Sequence, residues 1–350
     1  MALESGPVIN RDIMTGITPA QWVQKELLVG RSLQPVGELA KAYAPANIAL
    51  SKYWGKREPD FNLPLTGSIS ISLADHGTHT QLQVIDKPEH EVYLNGARQG
   101  ADTDFVRQLK AWLALFMPTS INLRIDTRNT IPTAAGLASS ASGYAALALA
   151  CNDLCDWHLD YTSLSALARL GSGSASRSLW HGFVKWQAGE ANNGHDSVAY
   201  ALPARWPQLR VGILTVSSAV KAVSSREGMG RTVQTSGLFK QWPAQATRDM
   251  AIIEQTIMDN DFTGLGQTAE QNAMSMHATM QAAWPPLVYW QPESVAAMHQ
   301  VLGLRQQGVE VYLTMDAGPN LKLLFQEADT ATLLRHFPTL EVIQPFPTRS

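Results

Sequence analysis

Clear alternation of apolar and polar positions begins at Ser68. SISISLADHGTHTQLQVI repeats with the two-residue period of strands and carries a DHG turn signal. The stretch predicts a hairpin reversing at that turn. DTDFVRQLKAWLALF then gathers Phe105, Leu109, Trp112, Leu113 and Phe116 on one helical face. INLRIDTR alternates again as a strand, and SASGYAALALACNDL reads as an Ala/Leu-rich helix. A helix at YTSLSALARL, a strand at LWHGFVKW and a strong strand over 209–218 follow. Beyond them come two helical stretches, RDMAIIEQTIMDNDF and LGQTAEQNAMSMHATMQAA, and a Pro-broken loop, WPPLVYWQPES. The chain closes with a helix at 294–306, the strands VEVYLTM and LKLLF around a DAGPN turn, and a final helix and strand. The pattern predicts an α+β protein whose antiparallel strands are backed by helices.

Residues 1–40 lack clear alternation and read as an extension of uncertain order, with a short helix at PAQWVQKELL. Pro and Trp interrupt both periodicities at LPARWPQ, 202–208. The expected division is therefore 1–40, an N-terminal domain over 41–205 and a C-terminal α+β domain over 206–350. A length of 350 residues suits two domains. The chain is 45% hydrophobic and 16% charged, as a protein with a real core should be. A net charge of −3 gives no bulk attraction to nucleic acid or anionic lipid, and no basic run supplies a local one. Cys151 and Cys155, four apart on a predicted helix, read as reduced, buried thiols, since no second Cys/His pair stands at zinc spacing. No signal pattern opens the sequence, and no apolar run reaches about 18 residues. A cytoplasmic protein without membrane or nucleic-acid partners is expected.

Five segments carry candidate chemistry. PTAAGLASSASG, Pro132 to Gly143, holds only small or uncharged residues and leads into a helix amino terminus. Free backbone N–H groups and the positive end of the dipole there suit an anion; close helix packing would also demand small residues. The segment lacks the lysine of a Walker loop. GSGSASRS, 171–178, ends in Arg177, whose fork suits a carboxylate or phosphate; the same run also serves as a turn. APANIALSKYWGKRE clusters Lys52, Lys56 and Arg57 around Tyr53 and Trp54, as a binding loop or a solvated basic turn would. SSREGMG, 224–230, reads as a short Ser/Arg/Gly loop. Asp316, at the head of DAGPN, stands where strand-end catalytic carboxylates and turn-forming aspartates both occur. Two anion cradles, two basic loops and one carboxylate together suit phosphoryl transfer.

In order along the chain, APANIALSKYWGKRE, LPLTGSISISL, PTAAGLASSASGYAALA, GSGSASRSLWHGFVKW, SSREGMGRTVQTS and DAGPN resemble the diphosphomevalonate decarboxylases, over roughly 42–345. That family belongs to the galactokinase, homoserine kinase, mevalonate kinase and phosphomevalonate kinase superfamily. The resemblance implies the two-domain small-molecule-kinase fold, with an active-site cleft between an N-terminal α/β domain and a C-terminal ferredoxin-like α+β domain. It implies conversion of ATP and (R)-5-diphosphomevalonate to isopentenyl diphosphate, carbon dioxide, ADP and phosphate, with Mg2+ accompanying the nucleotide, and a homodimer. By the same resemblance Asp316 meets the substrate 3-hydroxyl, Lys52 lies near the transferring phosphoryl, and Arg177 holds the carboxylate in a pocket lined by Ser172 and Ser174. Tyr53, Lys56, Ser225 and Arg226 bind the diphosphate, with Met229 packing nearby. Ala135, Gly136, Leu137, Ala138, Ser139 and Ser140 cradle ATP, with Ser139 or Ser140 meeting the metal through it, and Asn47 supports the KYWGK loop. Three features depart from the pattern: the first 40 residues, His181 after Trp180, and Lys322; none removes a catalytic group, and their expected influence is on nucleotide-side details. Two alternatives are a phosphomevalonate decarboxylase acting on the monophosphate and a non-catalytic nucleotide-binding protein. A mevalonate 3-kinase would lack the Asp316 and Lys52 pair.

Overall fold

The computed structural model describes residues 16–130, 139–219 and 221–346. Two large antiparallel-rich sheets carry the described residues, beside a two-stranded ribbon of Lys56–Glu58 and Leu63–Pro64. The first is organised on one strand, Ser68–Ile85. Its first part pairs with Phe183–Trp186 and its second with Asn122–Asn129, while Leu39–Ala49 runs antiparallel beside both. Glu91–Leu94 adds in parallel to Asn122–Asn129, with Ala97–Arg98 outside it, and Ala199–Ala201 extends the other edge. The hairpin predicted at DHG does not form. Ala74 takes a left-handed φ of 49° and the partner strand shifts register between Pro45 and Asn47, so the chain bends without reversing. Each half of this strand finds a different partner, which is why local periodicity misreads it.

The second sheet runs in the spatial order Val311–Met315, Leu321–Gln326, Leu209–Leu214, Glu341–Ile343, antiparallel throughout. Helices Trp242–Asp259, Phe262–Gln281 and Pro292–Gln306 pack with it, as the apolar periodicity predicts. The two sheets share one apolar cluster: Ile48, Ile69, Ile71 and Phe183 pack with Val211, Ile213, Tyr312 and Leu324. Lys185 to Glu254 at 2.7 Å and His76 to Glu341 at 2.9 Å tie the same two parts.

Within the predicted extension, Thr18 caps a helix at Pro19–Trp22 that continues as a π-helix to Leu27, over the predicted short helix. Trp22, Val23 and Leu28 are buried in the core beside helix Ser139–Leu154. Val36 and Gly37 donate to the Leu154 carbonyl, satisfying the far end of that helix. Strand Leu39–Ala49 starts just before the expected boundary at 40. Cys151 and Cys155 are buried thiols, both pushed up by burial, Cys155 to about 11.

Candidate active site

Lys52 follows strand Leu39–Ala49, and Asp316 follows strand Val311–Met315 of the other sheet. The fold brings them together: Lys52 Nζ lies 2.9 Å from Asp316 Oδ1 and also donates to the Ala49 carbonyl at 2.7 Å. A second ammonium, Lys322 Nζ, lies 3.3 Å from Asp316 Oδ2. Burial alone would raise the Asp316 carboxyl, but Lys52 and Lys322 outweigh it and hold it well below the usual carboxylate range. Burial lowers the Lys52 ammonium, opposed by Asp316. Lys322, one of the three departures from the family pattern, thus sits on this carboxylate.

Arg177 ends a short 3-10 helix, Gly173–Arg177, and is buried. It donates to Ser68 Oγ and to Asn47 Oδ1, and its guanidinium faces the Trp186 ring at 5.8 Å. Burial lowers it to about 10, against the pull of Asp316, so it stays charged at neutral pH. Asn47 donates to Ser178 Oγ at 2.7 Å and to the Ser174 carbonyl, so it braces the Arg177 segment and not the KYWGK loop. Gly173 is small because a Cβ there would stand 2.8 Å from the Tyr53 ring. Tyr53 OH and Arg177 Nε are buried without a hydrogen-bond partner among the described residues. Buried donors left unpaired are uncommon in folded proteins. Burial raises the Tyr53 phenol, keeping its proton in place.

SSREGMG is not a loop but the amino terminus of helix Ser225–Thr235, capped by Ser224 through the Glu227 N–H. Gly228 and Gly230 weaken the helical signal. A Cβ at Gly228 would lie 2.7 Å from Tyr289 OH, which would have to shift. Arg226, Met229 and Lys56 line one cleft of roughly 490 Å³ with Asn62. Lys56 donates to Asn62 Oδ1, and burial followed by Arg226 lowers its ammonium to about 8. Ser140, Ser172 and Ser174 form a row of hydroxyls at 3.3 and 3.2 Å. Ser139 begins helix Ser139–Leu154, whereas Ala135, Gly136, Leu137 and Ala138 lie outside the described residues.

Three contacts escaped the sequence reading. Asn272 Oδ1 accepts the Lys52 N–H at 2.8 Å, and its amide donates to buried Asp249. His277 Nε2 lies 3.1 Å from the Asp316 carbonyl; burial, then Lys52, lowers it to about 4 and keeps it neutral. Lys221 Nζ donates to the Ala317 carbonyl and to Ser225 Oγ.

Comparison with known proteins explains why these segments meet. Residues 44–199 match the diphosphomevalonate decarboxylase-like N-terminal domain, and 211–345 the mevalonate 5-diphosphate decarboxylase C-terminal domain. The chain belongs to the diphosphomevalonate decarboxylase family. The diphosphomevalonate decarboxylase of Aspergillus fumigatus is 39% identical over 83% of this chain and 78% of its own. The Staphylococcus aureus mevalonate diphosphate decarboxylase superimposes with a TM-score of 0.82 at 35% identity, covering 88% of this chain and 95% of its own. A solved complex of MDDEF with MVAPP, AMPPCP and magnesium gives 0.80 at 38% identity, covering 87% and 95%. The α+β fold expected from the decarboxylase family is the fold observed.

Proposed function

We propose that the protein carries out the ATP-dependent decarboxylation of (R)-5-diphosphomevalonate to isopentenyl diphosphate, with release of ADP, phosphate and carbon dioxide. The observation that carries this is the Lys52–Asp316 pair at 2.9 Å, brought together from two parts of the fold, with a buried, charged Arg177 that feels the same carboxylate. The tertiary hydroxyl is a poor leaving group, so the ATP γ-phosphoryl is first moved to its oxygen. Asp316, ionised, accepts the hydroxyl hydrogen bond, aims the oxygen and takes its proton as the O–P bond forms; Lys52 offsets the charge carried across. Phosphate then departs with the C–O bonding pair. The carboxylate C–C pair becomes the new double bond as carbon dioxide leaves. Arg177 holds that carboxylate by its fork until the bond breaks, with Ser172 and Ser174 beside it.

Tyr53, Lys56, Ser225 and Arg226 take the diphosphate, with Met229 closing an apolar side of the cleft. Ala135 to Ser140 cradle the ATP phosphates at the start of helix Ser139–Leu154. Among the described residues no group of three His, Cys, Asp or Glu side chains forms a metal cage. Magnesium, which keeps several waters and binds largely through phosphates, needs none; the exposed Ser140 hydroxyl fits it, with Ser139 adjacent. Bound there, the metal neutralises phosphate charge. The proposal extends to a cytoplasmic homodimer with two domains, 41–205 and 206–350, meeting at the cleft. Two sheets and two matched family domains support the division, and no described helix is long and apolar enough to cross a membrane.

The test compares kcat/KM for 5-diphosphomevalonate and 5-phosphomevalonate, on wild type and Arg226→Ala. Charge-assisted hydrogen bonds from Lys56 and Arg226 are worth roughly 1.5–3 kcal/mol each. The diphosphate should therefore lead by about 10²-fold or more, and Arg226→Ala should shrink that lead. Equal use of both substrates by the wild type moves the assignment to the monophosphate.

A further inference from the structure

Lys322 is a costly residue where it stands. Its neighbours on strand Leu321–Gln326, Leu321, Leu323, Leu324 and Phe325, are all buried, and Lys322 itself is 2% exposed. An ammonium in such a strand stabilises nothing that a methionine would not, because desolvation consumes what pairing returns. Its ion-pair partner among the described residues is Asp316, through Oδ2 at 3.3 Å, with a long contact to the Asn320 carbonyl at 3.5 Å. Yet Asp316 already has a counter-ion in Lys52 on Oδ1. One carboxylate thus serves two buried lysines.

We infer that Lys322 is a positioning residue for the reaction, fixing the Asp316 carboxylate through the oxygen that Lys52 does not hold. A carboxylate offers about four lone-pair sites. Two lysines on different oxygens lock its plane and leave the remaining acceptor sites for the substrate hydroxyl at the third of the side chain that is open, 36% by area. The charges facing Asp316 come from every element around it. Lys52 follows strand Leu39–Ala49, Arg177 ends its 3-10 helix, and Lys221 lies in the loop after Leu209–Leu214. His277 reaches in, neutral, from helix Phe262–Gln281. Lys322 is the cation among them that pairs with Oδ2, leaving Oδ1 to Lys52, so it acts through Asp316. The excess positive charge also keeps the carboxylate ionised before the phosphoryl group arrives.

The inference rests on Asp316 meeting the 3-hydroxyl, so the experiment starts with Asp316→Asn; full activity there overturns that reading first. With Asp316 shown to be needed, Lys322→Met is expected to lower kcat roughly 10- to 100-fold, the scale of a 1 Å misplacement, at nearly constant KM. Losing a neighbouring cation raises a carboxylate pKa, so the acid limb of the kcat profile moves to higher pH, by about one unit or more. In the Asp316→Asn background Lys322→Met costs no further activity and raises Tm, since it removes a buried lysine left without its carboxylate. That Tm comparison decides the matter even if Lys322→Met alone folds poorly. A kcat within threefold of wild type overturns the inference. So does a lowered kcat with an unmoved acid limb and an equal cost in the Asp316→Asn background.

Discussion

At Lys56, burial and the Arg226 guanidinium set the ammonium near pH 8, well inside the range an assay can reach. A cation that binds an anion must be charged to do so. Above pH 8 the free enzyme loses that charge, while the bound diphosphate holds the proton on. KM for the diphosphate substrate should therefore rise with pH, by roughly 10-fold or more between pH 8 and 10. Lys56→Arg, charged throughout, should flatten the rise; a wild-type KM constant over that range would remove Lys56 from the diphosphate site. Single residues of this kind were legible because their segments are unusual: Lys52, Lys56 and Arg177 stand in short motifs rich in Gly, Ser or aromatic residues. Asn272, His277 and Lys221 carry no such signal. Asn272 reaches Lys52 across 220 positions of chain, a pairing that no local pattern encodes.

Among the elements, helix Phe262–Gln281 has the most consequence for the site. Asn272 holds the Lys52 backbone and His277 the Asp316 carbonyl, so one helix contacts the backbone on both sides of the Lys52–Asp316 pair. Asn272→Ala leaves the Lys52 N–H and Asp249 short of partners in a buried setting. It should cost about 1–3 kcal/mol of stability and reduce kcat with ATP affinity preserved, as denaturant melts and steady-state kinetics would show. Unchanged kcat would free the helix of that role. The helix itself was readable from sequence, whereas helix Ser225–Thr235 was not, because Gly228 and Gly230 lower its helical propensity. The reversal expected near DHG failed for a related reason. Ala74, a residue that seldom adopts positive φ, absorbs the bend, and the partner strands decide the path.

On the scale of the whole molecule, the sheets do not behave as beads on a string, since one apolar cluster includes side chains from both. Unfolding one part would expose the core of the other. Calorimetry should therefore show one transition with matching calorimetric and van't Hoff enthalpies; two resolved transitions would contradict the shared core. The order of segments along the chain was enough to anticipate an α+β protein, but not that its two sheets would share a core, which depends on side chains distant in sequence. This joint also brings Lys52, after a strand of one sheet, against Asp316, after a strand of the other, so the proposed chemistry needs the assembled molecule. The most direct measurement is single-turnover release of carbon dioxide from 5-diphosphomevalonate and ATP, by wild type and by Asp316→Asn, with binding of a non-hydrolysable ATP analogue checked on both. The account predicts one carbon dioxide per ADP from the wild type, and a rate lower by roughly 10²–10⁴-fold in the variant with analogue binding intact. Near-normal carbon dioxide release by Asp316→Asn, or ADP formed by the wild type without carbon dioxide, would contradict it.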